Sequence, residues 1–171
     1  MARSGKGMAI SMLILRILTL LLSAGCIVVF IINTFRNGDG SKTTFKDVFA
    51  YRYVFSTAVI GAAYSLLQLP FTVYFVSTEK RMITGRFLPE FDFYGDKIIS
   101  FLLATGVGAG FAITFEFKKF LNADDLKSRV EKFLDRSYIA TGLLLGAFVC
   151  MAVVSVISSI NRKTSSGGFF S

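Results

Sequence analysis

Histidine and tryptophan are absent from the chain, and cysteine and proline occur twice each. Without histidine, and with Cys26 and Cys150 both inside apolar runs, the usual zinc ligand sets and the usual general base cannot be assembled. No cysteine falls in a polar connection, so no disulfide framework is visible. Acidic residues are also scarce, eleven against nineteen Lys and Arg, for a net charge of +8. The basic residues sit mainly at the rims of the apolar runs. That placement fits anchoring at anionic headgroups, and no nucleic-acid-binding pattern is present. No acidic cluster marks a helix face, and the polar connections are too short to bury a core of their own. No cofactor is expected, and an enzymatic role is rejected.

What the chain has in abundance is apolar length. Of its 171 residues, 53% are hydrophobic, and the mean hydropathy is +0.62, too apolar for a soluble domain of this size. Four runs, about 8–35, 53–76, 96–115 and 138–160, are each long enough to cross a hydrocarbon core, which needs ~20 helical residues. The fold class is therefore all-α: a polytopic membrane protein built as a four-helix transmembrane bundle. Residues 1–7 form a short N-terminal tail, and 161–171 a Ser/Gly-rich tail expected to be flexible. Ser23-Ala24-Gly25-Cys26 resembles a lipoprotein cleavage site. The apolar run continues past it to Ile32 and is interrupted by Arg16, so a cleaved signal is not expected.

The connections carry local signals. Asn37-Gly38-Asp39-Gly40 suits a turn, and Thr44 with Asp47 is a loose capping box that predicts a short helix leading into the second run. Phe45, Phe49, Tyr51 and Tyr53 read as an aromatic belt at the headgroups. Pro70 should kink or end the second helix, and Gln68 beside it should face other helices and find a partner there. The stretch 77–95, with Gly85 and Pro89, reads as a loop. In the third connection, Leu126, Val130, Phe133 and Leu134 recur at three- and four-residue spacing among charged residues, which predicts an amphipathic helix on the membrane surface.

Small residues recur at helical spacing in the last two runs. Gly106 with Gly110, Gly108 with Ala104 and Ala112, and Gly142 with Gly146 would let helix backbones approach closely, either within the bundle or between subunits.

The candidate functional residue is Arg16, in the run MAISMLILRILTLLLS. A guanidinium inside a bilayer costs roughly 2.5–3.5 kcal/mol on insertion scales unless something answers it. In a four-span chain the first and third helices run the same way, so their beginnings lie at the same membrane face. Asp96 opens the third run, and if that helix starts near Phe91 the two charges differ in depth by ~5 Å of helical rise. A bidentate Arg16–Asp96 pair is the expected answer. Asp92 is a second candidate partner, and snorkelling of Arg16 to the interface is the competing reading. The pair's expected role is architectural, with a proton or ion path as the sharper alternative.

LILRILTL in the first run, DKIISFLLATGVGAGFAIT opening the third, and AYRYVFSTAVIGAAYSLLQL in the second together resemble the plant Casparian strip membrane domain protein-like (CASP-like) family. The resemblance implies a MARVEL-related plasma-membrane tetraspan with both termini cytosolic, and a charged pair at Arg16 and Asp96. It further implies homo- and hetero-oligomers with related four-span proteins. The family's best-understood members are platforms that recruit wall-modifying enzymes. This chain lacks the long aromatic and acidic first loop of those members and the cysteines of their third connection. Charge bias pulls the other way on orientation: the side assigned to the cytosol carries seven Lys and Arg, the opposite side ten. Arg3 and Lys6 flank the first span, which usually dominates, so the family's orientation is kept.

The expected function is a non-enzymatic membrane scaffold that self-associates in the lipid bilayer and recruits partners such as wall enzymes. The alternative is a small channel or transporter subunit using Arg16 and Asp96.

Overall fold

The structure is a computed structural model that describes residues 2–36, 42–78, 87–120 and 127–166. Four long helices dominate: α1 (Ala2–Ile32), α2 (Phe49–Thr78), α3 (Phe87–Phe120) and α4 (Lys127–Ser166). The segments Gly7–Ile32, Phe49–Tyr74, Phe91–Lys119 and Val130–Ile160 are long and apolar enough to cross a membrane. The main packing pairs α1 with α2, α2 with α3, α3 with α4 and α4 with α1. The helices therefore form a ring in chain order, with α1 facing α3, and α2 facing α4, across the diagonals.

Buried positions repeat with alternating spacings of three and four. On α1 they include Arg16, Thr19, Ser23, Cys26 and Phe30, with Asn33 just past its end, and on α4 Ser137, Ala140, Leu144, Ala147, Met151, Val154 and Ser158. This heptad repeat keeps one seam of each helix toward its neighbours and is the pattern of left-handed bundles. Lipid is as apolar as leucine, so close packing and internal polar bonds must hold such a bundle together. Close packing is visible at Gly61, where a Cβ would come within 2.9 Å of Leu103 Cδ2.

Between α1 and α2, β1 (Thr34–Arg36) and β2 (Lys42–Thr44) pair antiparallel as a small hairpin. The Asn37–Gly40 turn lies outside the described residues. The Thr44–Asp47 capping box is present: the Thr44 backbone N–H donates to Asp47 Oδ2 at 2.7 Å, opening a 3-10 turn over Phe45–Asp47. That turn presses Phe45 into the bundle, where its ring stacks on Phe55 at 4.8 Å and meets Phe30 at 6.0 Å. Phe30 in turn contacts Tyr51 at 5.6 Å, and Tyr51 contacts Phe133 at 5.9 Å. An aromatic cluster thus plugs the hairpin end of the bundle.

Several local expectations are corrected. Phe45 and Tyr51 belong to that core, so only Phe49, 81% exposed, and Tyr53 face outward as a belt would. Pro70 does not end α2, which continues to Thr78. α3 begins at Phe87, ahead of the run that opens at Asp96, and Pro89 stands in its first turn, where a missing N–H costs nothing. Among the described residues no separate surface helix occupies 127–135. Leu126 lies outside the described residues, and Lys127 onward is the start of α4, because buried Phe133 and Leu134 continue the same inward row as Ser137 and Ala140.

Candidate functional site: a four-helix polar centre

Arg16 stands nine residues past Gly7, about 14 Å into its span by helical rise. Its position on the inward heptad row carries it into the bundle, where it is 1% exposed, and Asp96 is 0% exposed. Arg16 Nη2 donates to both carboxylate oxygens of Asp96 at 3.1 Å. One nitrogen straddles the carboxylate, in place of the two-nitrogen fork the sequence suggests. The pair crosses the diagonal of the ring, joining the two helices, α1 and α3, that the main packing leaves apart.

The other two helices close around it. From α2, the Tyr64 hydroxyl donates to Asp96 Oδ1 at 2.9 Å. From α4, the Ser158 hydroxyl donates to Oδ2 at 2.6 Å. Gln68, one turn beyond Tyr64, is buried among the helices as expected, but its amide donates to the Tyr64 oxygen at 3.1 Å, a partner on its own helix α2 and not on another. The Tyr64 ring also lies 6.0 Å from the Arg16 guanidinium carbon, within cation–π range. Asp96 is therefore a hub that accepts from three other helices. Gly95 makes the approach possible, because a Cβ there would collide with the Tyr64 hydroxyl.

The opposite end holds a second layer of the same design. Asn33, just past the end of α1, donates its amide to the Phe133 carbonyl and the Ser137 hydroxyl on α4, both at 2.9 Å. Tyr51 on α2 shares a hydrogen bond with Thr114 on α3 at 3.0 Å. The second layer thus draws on the end of α1 and on α2, α3 and α4. Between the two layers lie Cys26, Ala58, Leu103, Leu144, Ala147 and Met151, all fully buried. Hydroxyls interspersed there bond back to their own helices, as Thr57 does to the Val54 carbonyl at 2.8 Å and Thr141 to the Ser137 carbonyl at 2.8 Å.

The five candidate glycines divide. A Cβ at Gly106 would strike Thr57, one at Gly110 would come within 2.6 Å of Thr141 Oγ1, and one at Gly146 within 3.1 Å of Leu22 Cδ1. These three admit neighbouring helices. Gly108 and Gly142 meet nothing within 4 Å, so both face outward. No group of three or more His, Cys, Asp or Glu side chains converges among the described residues.

Nothing in the sequence pattern marks Tyr64, Ser158, Ser137 or Thr114, because a lone hydroxyl in an apolar run shows no direction. The heptad phase set by Arg16 is the signal that finds Asn33 just past the end of α1, seventeen residues on and in the same inward row.

Comparison with known proteins agrees with this architecture. The family profile "Casparian strip membrane protein domain" matches residues 5–159. A CASP-like protein 4D1 from Ricinus communis is 45% identical over 151 residues, 86% of this chain and 88% of the relative. A CASP-like protein 4D2 from Arabidopsis thaliana is 42% identical over 154 residues, 86% and 87% respectively. A 4D1 protein from Glycine max is 36% identical over 157 residues, 91% of this chain and 89% of its own. No solved structure matches the chain. With a profile spanning nearly all of its length and relatives this similar end to end, the chain belongs to the Casparian strip membrane protein domain family, the CASP-like membrane proteins.

Proposed function

We propose that this CASP-like protein is a non-enzymatic scaffold of the plasma membrane, with cytosolic termini, that self-associates laterally and recruits partner proteins such as wall-modifying enzymes at its hairpin end. The observation that carries this reading is the polar centre itself. A salt bridge fastened across the diagonal, with one hydrogen bond from each remaining helix, makes four helices a single unit. Such a unit suits a platform that must keep its shape while it packs against others.

A channel or transporter subunit would use the same charges as a path. The packed apolar layer between the two polar layers, and the aromatic plug around Phe45, weigh against a route along the bundle axis. Tagged protein in plasma membranes tests the choice. Slow lateral diffusion with co-purification of differently tagged copies supports the scaffold. Rapid diffusion of single copies, with conductance after reconstitution, supports the transport reading.

A further inference from the structure

Arg16 has more hydrogen-bond donors than its partner can receive. A guanidinium carries five N–H groups, and a carboxylate offers about four acceptor sites. Asp96 already receives Arg16 Nη2 on both oxygens, Tyr64 on one and Ser158 on the other, so it is saturated. Arg16 Nε and Nη1 are buried and meet no acceptor among the described residues. Neither nitrogen reaches a neighbouring hydroxyl oxygen: Tyr64 donates to Asp96 and accepts from Gln68, and Thr19 donates to the Leu15 carbonyl at 2.9 Å. On α2 the ring of Tyr64 lies 6.0 Å from the guanidinium carbon, which brings the next residue of that helix near the pair. Ser65 follows Tyr64 on α2, is fully buried, and its hydroxyl has no partner among the described residues.

We infer that the α1–α2 interface beside the charge pair holds an ordered water molecule that accepts from Arg16 Nη1 or Nε and donates to the Ser65 hydroxyl. The chemistry selects water over an anion. Arg16 and Asp96 neutralise one another, so a chloride or phosphate would be an uncompensated buried charge. Water is neutral and has two lone pairs and two protons, which match surplus donors on one side and a hydroxyl on the other. Buried waters ordinarily occupy such sites, bridging polar groups that the protein leaves unpaired. This inference stands apart from the scaffold reading, since a hydrated charge pair would serve any four-helix unit.

The test is water-edited solid-state NMR of the full chain in lipid bilayers. Leu15-Arg16 is the single Leu-Arg dipeptide in the sequence. Carbonyl-labelled leucine with nitrogen-labelled arginine therefore assigns Arg16 without mutation. Magnetisation from water should reach the Arg16 guanidinium while the methyl groups of Leu103 and Leu144 stay dark. Ser65→Ala should lower that transfer about twofold with an unchanged backbone spectrum, as expected when one bridging partner is lost. An Arg16 signal as dark as Leu103, or equal transfer in the serine variant, overturns the site. An Arg16 shift that follows replacement of chloride by bromide also overturns it, and assigns the position to an anion.

Discussion

Arg16 on α1 and Asp96 on α3 meet across the diagonal of the ring, 3.1 Å apart and sealed from solvent, on helices that otherwise pack mainly against α2 and α4. Neighbouring helices can be held by close packing alone, but opposite ones need something that reaches across the centre. A long side chain with a charge at its tip is suited to that, and the carboxylate it finds is oriented by Tyr64 and Ser158. The organisation of the bundle leads to four expectations.

Gly95 is the spacer that lets Tyr64 reach Asp96, since a Cβ there would collide with the hydroxyl. Gly95→Ala should destabilise the protein by ~1–3 kcal/mol, the usual range for overpacking. Tyr64→Phe in the same chain should recover part of the loss, because it removes the colliding oxygen. Thermal unfolding in detergent, followed by size-exclusion fluorescence, reads both changes. A Gly95→Ala protein as stable as the parent would mean that the Tyr64 contact is not made.

Asn33 ties α1 to α4 at the hairpin end, and it is 1% exposed. Asn33→Ala leaves the Ser137 hydroxyl without this donor and should cost ~1–3 kcal/mol. Loosening should be local, so amide exchange in Thr34–Arg36 and Lys42–Thr44 should rise more than exchange in the middle of α3. Uniform protection across the chain would contradict the role given to this layer.

Gly106 and Gly108 are two residues apart on α3 and face opposite ways. Gly106→Leu should abolish folding, because Thr57 and Leu144 occupy the space. Gly108→Leu should leave thermal stability within about 0.5 kcal/mol, as outward changes usually do. If copies associate through the small outward row of Ala104, Gly108 and Ala112, Gly108→Leu should also weaken energy transfer between tagged copies in membranes. Undiminished transfer would move the association surface elsewhere.

The exposed Lys118–Asp135 pair joins α3 to α4 at 3.2 Å. Both side chains are largely in solvent, and such pairs contribute little. Lys118→Ala should therefore leave the unfolding temperature nearly unchanged, in contrast to any change at Asp96.

Arg16 and Asp96 are legible in the sequence because a charge in an apolar run is expensive and helix direction limits where its partner sits. The rest of the centre is not legible for a physical reason. Tyr64 and Ser158 are chemically compatible with lipid interface, core or helix back-bonding, and only helix phase decides which. The same ambiguity governs the glycines: Gly106, Gly108 and Gly110 share one spacing pattern, and two face neighbours while the middle one faces outward. It also explains the start of α4. A stripe of Val130, Phe133 and Leu134 among charges reads alike whether it lies on a membrane surface or continues a buried heptad row, and here it continues the row. The first connection shows the reverse case, in which Thr44 and Asp47 specify their turn locally through a bond three residues long.

The most direct measurement is a double-mutant cycle on the diagonal pair, using Arg16→Leu, Asp96→Leu and both together, read as unfolding free energy in bilayers or bicelles. Each single change strands a buried charge and should cost ~3–5 kcal/mol, whereas the double change removes both charges and should recover much of that loss. Single changes that are silent, or that simply add in the double variant, would show that these two residues do not hold the four helices together.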